Sequence, residues 1–384
     1  MSDAQPHPDL VPRRSLRSEL GAILLLLGAT RAALLLAGLV SRALLAPLRA
    51  EPYPWTYSKS AWLAIWGVWD SGWYLDIATF GYSAAGRTDP AILNQANYAF
   101  FPLYPLTMRA LGPLVGGPFH AGLIVSNLCL VGACLALRRL TALDYGAAAA
   151  DRAVRALVLC PTAFILSGVF SESMFLALTL AAFLAVRRDR LFLAGAAGYL
   201  AALTRPVGVL LVFPLALAYW KEARDRRQPL RARGAWLALV PLGLATFAAY
   251  NLALTGNAFA FARIQTTWGR TLHSPFAVLA DGLRDPDLTA RFAAWMTLAV
   301  VAFLVVGARR LGLAYGVLSL LFILVPLATG LNSMPRFLLA VFPFPILLAL
   351  LGERRSLEEL LTITLALLQG FLMVFWANGF KLVV

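Results

Sequence analysis

The sequence predicts an all-α fold, a polytopic bundle of transmembrane helices. Three observations carry that expectation. Of the 384 residues, 60% are hydrophobic and only 14% charged, with a mean hydropathy of +0.74. Water-soluble domains do not sustain that balance. Apolar runs recur along the chain at lengths suited to about 30 Å of hydrocarbon. Basic residues cluster between alternate runs, which is the positive-inside pattern of multi-pass proteins.

Taken in order, Met1 to Glu19 is polar and contains prolines. It reads as a disordered cytoplasmic tail without the compact core and cleavage site of a secretory signal. Residues 20–384 then form a single transmembrane domain. Spans are predicted near Leu20–Ala46, Phe119–Leu140, Val154–Val169, Ser173–Val186, Leu191–Leu203 and Val207–Trp220. Further spans fall near Ala235–Leu254, Phe292–Gly307, Leu311–Thr329, Phe337–Leu351 and Leu360–Phe380, about eleven in all. Several are shorter than the ~20 residues that cross a bilayer alone, and short helices of this kind line interior cavities. Cys129, Cys134 and Cys160 are scattered within apolar runs and read as small apolar residues.

With the tail inside and the spans alternating, the inside loops hold 20 of the 33 basic residues. That distribution accounts for most of the net charge of +14 without any nucleic-acid partner. The same alternation makes residues 49–118 the first outer loop. It also puts Asp70, Asp76, Ser171-Glu172-Ser173, Thr204-Arg205-Pro206 and Asn332 to Arg336 together at the outer face of the cell membrane.

Within the outer loop, Ser60 to Tyr82 reads as one amphipathic helix whose stripe is Trp62, Trp66, Trp69, Trp73 and Ile77. Such a stripe suits an interfacial helix with its indoles in the headgroup layer. Asp70 lies one step off the stripe between Trp66 and Trp73, where desolvation would raise its proton affinity as a general base requires. Asp76 is turned away from it. Phe100-Phe101-Pro102-Leu103-Tyr104-Pro105 is expected to be a rigid non-helical turn because of its two prolines. Ser171-Glu172-Ser173 opens a helix and suits capping as well as a site. Arg205 and Arg336 each adjoin a proline at a helix start, an arrangement that binds anions such as a phosphate. No Gly-rich phosphate loop, HExxH or Ser-His-Asp arrangement accompanies them, no Asp-x-Asp for a metal–nucleotide-sugar complex is expected, and the only histidines are His7, His120 and His273. A cytosolic nucleotide sugar is therefore not the expected donor, and neither a cofactor nor a divalent metal is demanded.

These residues resemble the GPI mannosyltransferase 2 (PIG-V) family of multi-pass glycosyltransferases and its bacterial relatives. The match rests on Trp69-Asp70, Ile77-Ala78, Gly81-Tyr82, Asn97 with Ala99-Phe100-Phe101-Pro102, Pro105, Ser171-Glu172-Ser173 and Thr204-Arg205. A looser part is Pro335-Arg336-Phe337 with Phe342-Pro343. The resemblance implies a GT-C fold and a lipid-phosphate-linked sugar donor, which is dolichyl-phosphate mannose in the eukaryotic branch. It also implies inversion at the anomeric carbon with a first-loop carboxylate as base, a position that Asp70 fits. Trp73 stands where family members often carry His, which shifts the acid–base burden to Asp70. Trp73, Tyr74, Asn97, Asp76, Ser171 and Glu172 are then candidate acceptor-binding or supporting residues, with Arg205 and Arg336 on the donor phosphate. The Ala/Leu/Arg-rich, Lys-poor composition suggests a GC-rich bacterium, which makes no GPI anchor. A polyprenyl-phosphate sugar, mannose by resemblance, remains the expected donor, with a lipid or glycan as acceptor and membrane lipids as surroundings. The rival expectations are a transporter or flippase of an anionic or lipid-linked substrate, and a non-catalytic lipid-binding scaffold.

Overall fold

A computed structural model describes residues 15–45, 57–85 and 94–383. The described residues are all-helical, with short 3-10 turns and no strand. The first helix, α1 (Leu16–Leu44), begins inside the stretch expected to be a disordered tail. Ser15 accepts from the Ser18 amide at 3.3 Å, and Glu19 meets Arg138 at 2.5 Å. A capped first turn with an acidic residue suits a helix start, so only residues 1–14 of that tail lie outside the described residues.

The outer loop holds three helices, α2 (Ala61–Ala64), α3 (Ser71–Phe80) and α4 (Leu103–Val115). Residues 46–56 and 86–93 of this loop lie outside the described residues. The expected single helix from Ser60 to Tyr82 is therefore two. Trp69 takes the left-handed region at φ +54°, which ends helical geometry just before Asp70. Trp66, Trp73 and Ile77 are buried in protein rather than spread over a headgroup layer, and only Trp62 of the stripe is exposed. The proline-rich turn is also different from expectation. Pro102 is the N-cap of α4 and Pro105 lies in its first turn, where amides have no intrahelical acceptor and a proline loses nothing.

The long α5 (Pro118–Leu159) breaks at Gly146, at φ +85°, and packs against α4 and against α6 (Glu172–Arg187). Beyond Leu159 the expected span stops short, because Pro161 ends the helix and the chain continues as a 3-10 turn over Ala163–Ser167. Next come α7 (Leu191–Ala202), α8 (Val212–Asp225), α9 (Leu239–Thr255), α10 (Ala260–Arg263) and α11 (Pro275–Gly282). The chain ends with α12 (Leu288–Leu311), α13 (Leu313–Leu327), α14 (Met334–Phe337), α15 (Pro343–Leu351) and α16 (Arg355–Ala377).

Helices α7 and α9 approach closely through glycines on both: a Cβ on Gly198 would stand 2.5 Å from Val240 Cγ2, and one on Gly243 2.4 Å from the Tyr199 carbonyl oxygen. Close backbone approach through small residues is how helices associate without a hydrophobic driving force between them. Six helices are long and apolar enough to cross a bilayer among the described residues, or seven if the bent pair around α14 and α15 is one span. The difference from eleven comes from α5, which takes in two of the expected spans, and from short helices such as α6, α7 and α13. Helix α7, with 12 residues, rises only about 18 Å at 1.5 Å per residue.

The loops that alternation assigned to one side do meet. Arg138 pairs with Glu19 and Asp151, Arg155 with Glu358, and Arg187 with Asp144 and Glu222. Helix α6 separates this network from the second polar cluster, since Glu172 starts it and Arg187 ends it, about 22 Å apart along the axis. The two arginines within the first span are also used in the fold. Arg31 donates to Ser167 Oγ and the Ala163 carbonyl at 2.8 Å each, and Arg42 to the Ala377 carbonyl at 2.6 Å. They satisfy acceptors that lipid could not.

Candidate active site

Four segments build the second cluster, and long-range hydrogen bonds fix them. The turn before α3 docks on the segment leading into α6. The Val169 amide donates to the Trp66 carbonyl at 2.8 Å, and Ser71 Oγ to the Val169 carbonyl at 2.9 Å. Tyr74 Oη and Ser171 Oγ lie 2.9 Å apart in the same contact. The Leu103 amide donates to the Leu203 carbonyl at 3.0 Å, which ties the proline turn to Thr204-Arg205. Thr162 Oγ1 donates to the Pro335 carbonyl at 3.0 Å, which ties the end of α5 to α14. Sequence-distant polar residues thus arrive at one place on backbone that is already bonded.

At that place the charges alternate. Asp70 Oδ2 lies 2.6 Å from Arg336 Nη1, and Arg336 Nε lies 3.0 Å from Glu172 Oε1. The same Oε1 lies 2.6 Å from Arg205 Nη1. The Glu172 side chain is 3% exposed and that of Arg336 6%, against 20% for Asp70. The neighbour of Asp70 is a guanidinium, and its N-cap position at α3 comes from the helix break at Trp69. Ser171 and Glu172 make no side-chain cap to α6, contrary to the capping alternative. Ser171 meets Tyr74 instead, and Glu172 joins two arginines whose burial would otherwise be costly.

Asp70, Arg205 and Arg336 face a cavity of about 1380 Å³, lined also by Trp73 and Tyr74, with Glu172 behind its wall. Trp73 stacks on Phe100 at 5.7 Å between ring centroids, and Tyr74 meets the same ring edge-on at 5.3 Å. Burial, followed by the charge of Glu172, pushes the Tyr74 hydroxyl well above its ordinary range, so it stays protonated. Asp76 and Asn97 do not line the cavity. Asn97 Nδ2 donates to Asp76 Oδ2 at 2.7 Å and to the Gly81 carbonyl at 3.0 Å, and its Oδ1 accepts from Ser83. That arrangement holds the loop after α3.

Among the cavity residues that sequence reasoning missed are Gln265, Arg270 and Lys381. Arg270 follows the 3-10 turn Ile264–Trp268 and donates from Nη2 to the Asn332 carbonyl at 3.1 Å. Its guanidinium carbon stands 5.0 Å from the centroid of the Phe337 ring. Arg205 and Arg336 approach the same ring at 4.8 and 5.5 Å, contacts of the cation–π type. Burial, then the neighbouring Arg336 charge, lowers the Arg270 pKa from the ordinary arginine range to about 10. Lys381 Nζ lies 5.7 Å from the Trp69 ring. One signal was available for Arg270: it is a basic residue on the side that the charge pattern leaves poor in them.

Asp285-Pro286-Asp287, an Asp-x-Asp outside the cavity, serves the start of α12, where Asp287 accepts from the Thr289 amide at 3.1 Å. Among the described residues no three His, Cys, Asp or Glu side chains gather to hold a metal ion.

No family model matches the chain, and no curated protein matches it in sequence. In structure it is similar to ArnT from Cupriavidus metallidurans bound to undecaprenyl phosphate, with a TM-score of 0.43 and 14% identity. That similarity covers 94% of this chain and 78% of ArnT. It is also similar to the Archaeoglobus fulgidus oligosaccharyltransferase tethered with an acceptor peptide, with a TM-score of 0.43, 13% identity and coverage of 92% and 55%. A third similar structure is AglB from the same archaeon with an inhibitory peptide and a dolichol-phosphate, with a TM-score of 0.43, 12% identity and coverage of 92% and 56%. The chain thus spans little more than half of the archaeal oligosaccharyltransferase. What this chain does chemically is read from its own cavity.

Proposed function

We propose that the protein is an inverting membrane glycosyltransferase of the GT-C kind, related to the PIG-V mannosyltransferases, with a polyprenyl-phosphate sugar as donor. The observation that carries this reading is the alternating chain Asp70–Arg336–Glu172–Arg205 at the wall of a large, partly aromatic cavity. A carboxylate beside guanidiniums supplies both halves of a displacement at an anomeric carbon. Asp70 accepts the proton of the acceptor hydroxyl while that oxygen bonds to the sugar C1. The bond from C1 to the phosphate oxygen breaks, and the electron pair leaves with the lipid phosphate. Arg205 and Arg336 stabilise the negative charge that grows on this leaving group, where preorganised cations act most strongly. Trp73, Tyr74 and Phe100 offer apolar ring faces to the sugar.

In this reading the site opens at the outer side of the cell membrane, with the N-terminus cytoplasmic and the Arg138, Arg155 and Arg187 network on the cytoplasmic side. The sugar is mannose by the PIG-V resemblance, and the acceptor is a lipid or glycan hydroxyl.

Incubation of the reconstituted protein with polyprenyl-phosphate mannose labelled in the sugar, together with bacterial lipid extract, tests this. Free polyprenyl phosphate and a labelled product are expected. Asp70→Asn should lower turnover by about 10²- to 10⁴-fold, the usual worth of a general base, with an unchanged chromatographic profile. Turnover retained in that variant removes Asp70 from the base role. Movement of donor across the bilayer without bond cleavage would favour the transporter reading instead.

A further inference from the structure

The cluster around Phe337 has more positive than negative charge, and the imbalance is localised. Three guanidiniums surround one ring, at 4.8, 5.0 and 5.5 Å. Arg205 is paired with Glu172, and Arg336 with both Asp70 and Glu172. Arg270 forms no ion pair with any described residue. What holds it is the Asn332 carbonyl, the ring of Phe337 and the cavity in front of it. A half-buried guanidinium next to another cation is unfavourable unless an anion completes it.

The charge count points to the kind of anion. With both carboxylates ionised, the three arginines leave one positive charge in excess. A sugar–phosphate–lipid diester carries one negative charge, so it matches the excess at this ring. The match also survives the reaction. As the phosphate leaves as a monoester it gains up to one further negative charge, and the proton taken by Asp70 removes one from the protein side.

We infer that Arg270 is the guanidinium that receives the donor's phosphate together with Arg205, while Arg336, already held by Asp70 and Glu172, positions Asp70 and acts on the leaving phosphate only through its nearby charge. The identity of the anion rests on the glycosyl-transfer reading above, whereas the assignment of the phosphate to Arg270 rests on the pairing geometry. The phosphate spans Arg270 and the outward edge of Arg205 beside Phe337. Arg336 fixes the carboxylate at the distance it needs from the acceptor hydroxyl.

The test is a binding measurement, so it does not depend on turnover. The full chain is reconstituted in nanodiscs of neutral lipid and titrated with undecaprenyl phosphate. Intrinsic fluorescence reports binding, since Trp69, Trp73 and Trp268 line the cavity. Arg270→Gln should weaken the apparent Kd by about 10- to 100-fold, the range for a charge-assisted contact, and Arg270→Lys should fall between. The unfolding midpoint of Arg270→Gln should equal or exceed that of the wild type, because the unpaired cation is a cost to the fold. Inorganic phosphate used as a second probe should show the same order among the variants. Wild-type affinity in Arg270→Gln overturns the assignment, and so does weak binding that comes with a lower unfolding midpoint. If the wild type binds undecaprenyl phosphate but never cleaves labelled donor, the transferase reading fails while this assignment stands.

Discussion

Replacing Glu172 by Gln isolates what the buried carboxylate contributes, because the amide keeps the volume and removes the charge. In the wild type one oxygen, Oε1, lies 2.6 Å from Arg205 and 3.0 Å from Arg336, on a residue 3% exposed. With charge centres roughly 4 Å apart and an effective dielectric of about 20, each attraction is worth about 4 kcal/mol, so the gross loss is about 8 kcal/mol. The substitution also removes the need to desolvate the carboxylate, which returns several kcal/mol. The net destabilisation expected is about 3–5 kcal/mol, the range found when one partner of a buried pair is deleted. Equilibrium unfolding in bicelles or mixed micelles would measure it. A second variant sharpens the attribution. Glu172→Gln combined with Arg205→Gln removes one of the stranded cations, so the double change should cost less than the sum of the two single changes by about 1–3 kcal/mol. If Glu172→Gln shifts stability by less than about 1 kcal/mol, or the pair is simply additive, the carboxylate does not join the two guanidiniums energetically.

Two further outcomes follow from other parts of the molecule. Donor KM should be flat from pH 7 to 9 and rise above pH about 10, where Arg270 begins to lose its charge; steady-state kinetics across that range would check it. The same shift has a definite sign for stability. The unfolded chain holds the extra proton from about pH 10 up to the ordinary arginine range, so this group makes stability rise with pH across that window, and below it the fold bears the full cost of the buried cation. Gly195→Ala should destabilise by about 1–3 kcal/mol through overpacking of α7 against the 3-10 turn Ala232–Ala238 that leads into α9, since its Cβ would meet the Trp236 carbonyl at 2.0 Å. Unfolding titrations measure that change, and a neutral result would mean the helix and the turn can separate without loss.

Much of the architecture was legible because the bilayer imposes it residue by residue. Apolar runs must be helical where backbone groups have no water, and all-helical structure followed. The alternation of basic loops brought Asp70, Glu172, Arg205 and Arg336 to one side on paper, and in the structure they touch. Local chemistry was less legible. The stripe from Trp62 to Ile77 has helical spacing, yet tertiary docking of Trp66 and Ser71 on Val169 breaks it at Trp69. Pro105 was judged by its type, whereas its place in the first turn of α4 decided its effect.

The sequence by itself determined that this chain is a membrane helix bundle whose exceptional polar residues gather at one end, since composition and charge pattern are additive properties of the chain. Only the tertiary structure decided which polar group meets which. It turned Glu172 from an apparent helix cap into the bridge between two arginines, set Asp76 and Asn97 apart from the cavity, and brought Arg270 beside Phe337. The physical reason is range. Hydrocarbon selects residues one at a time, but an ion pair requires two loops far apart in sequence to be held within 3 Å, and no periodicity records that.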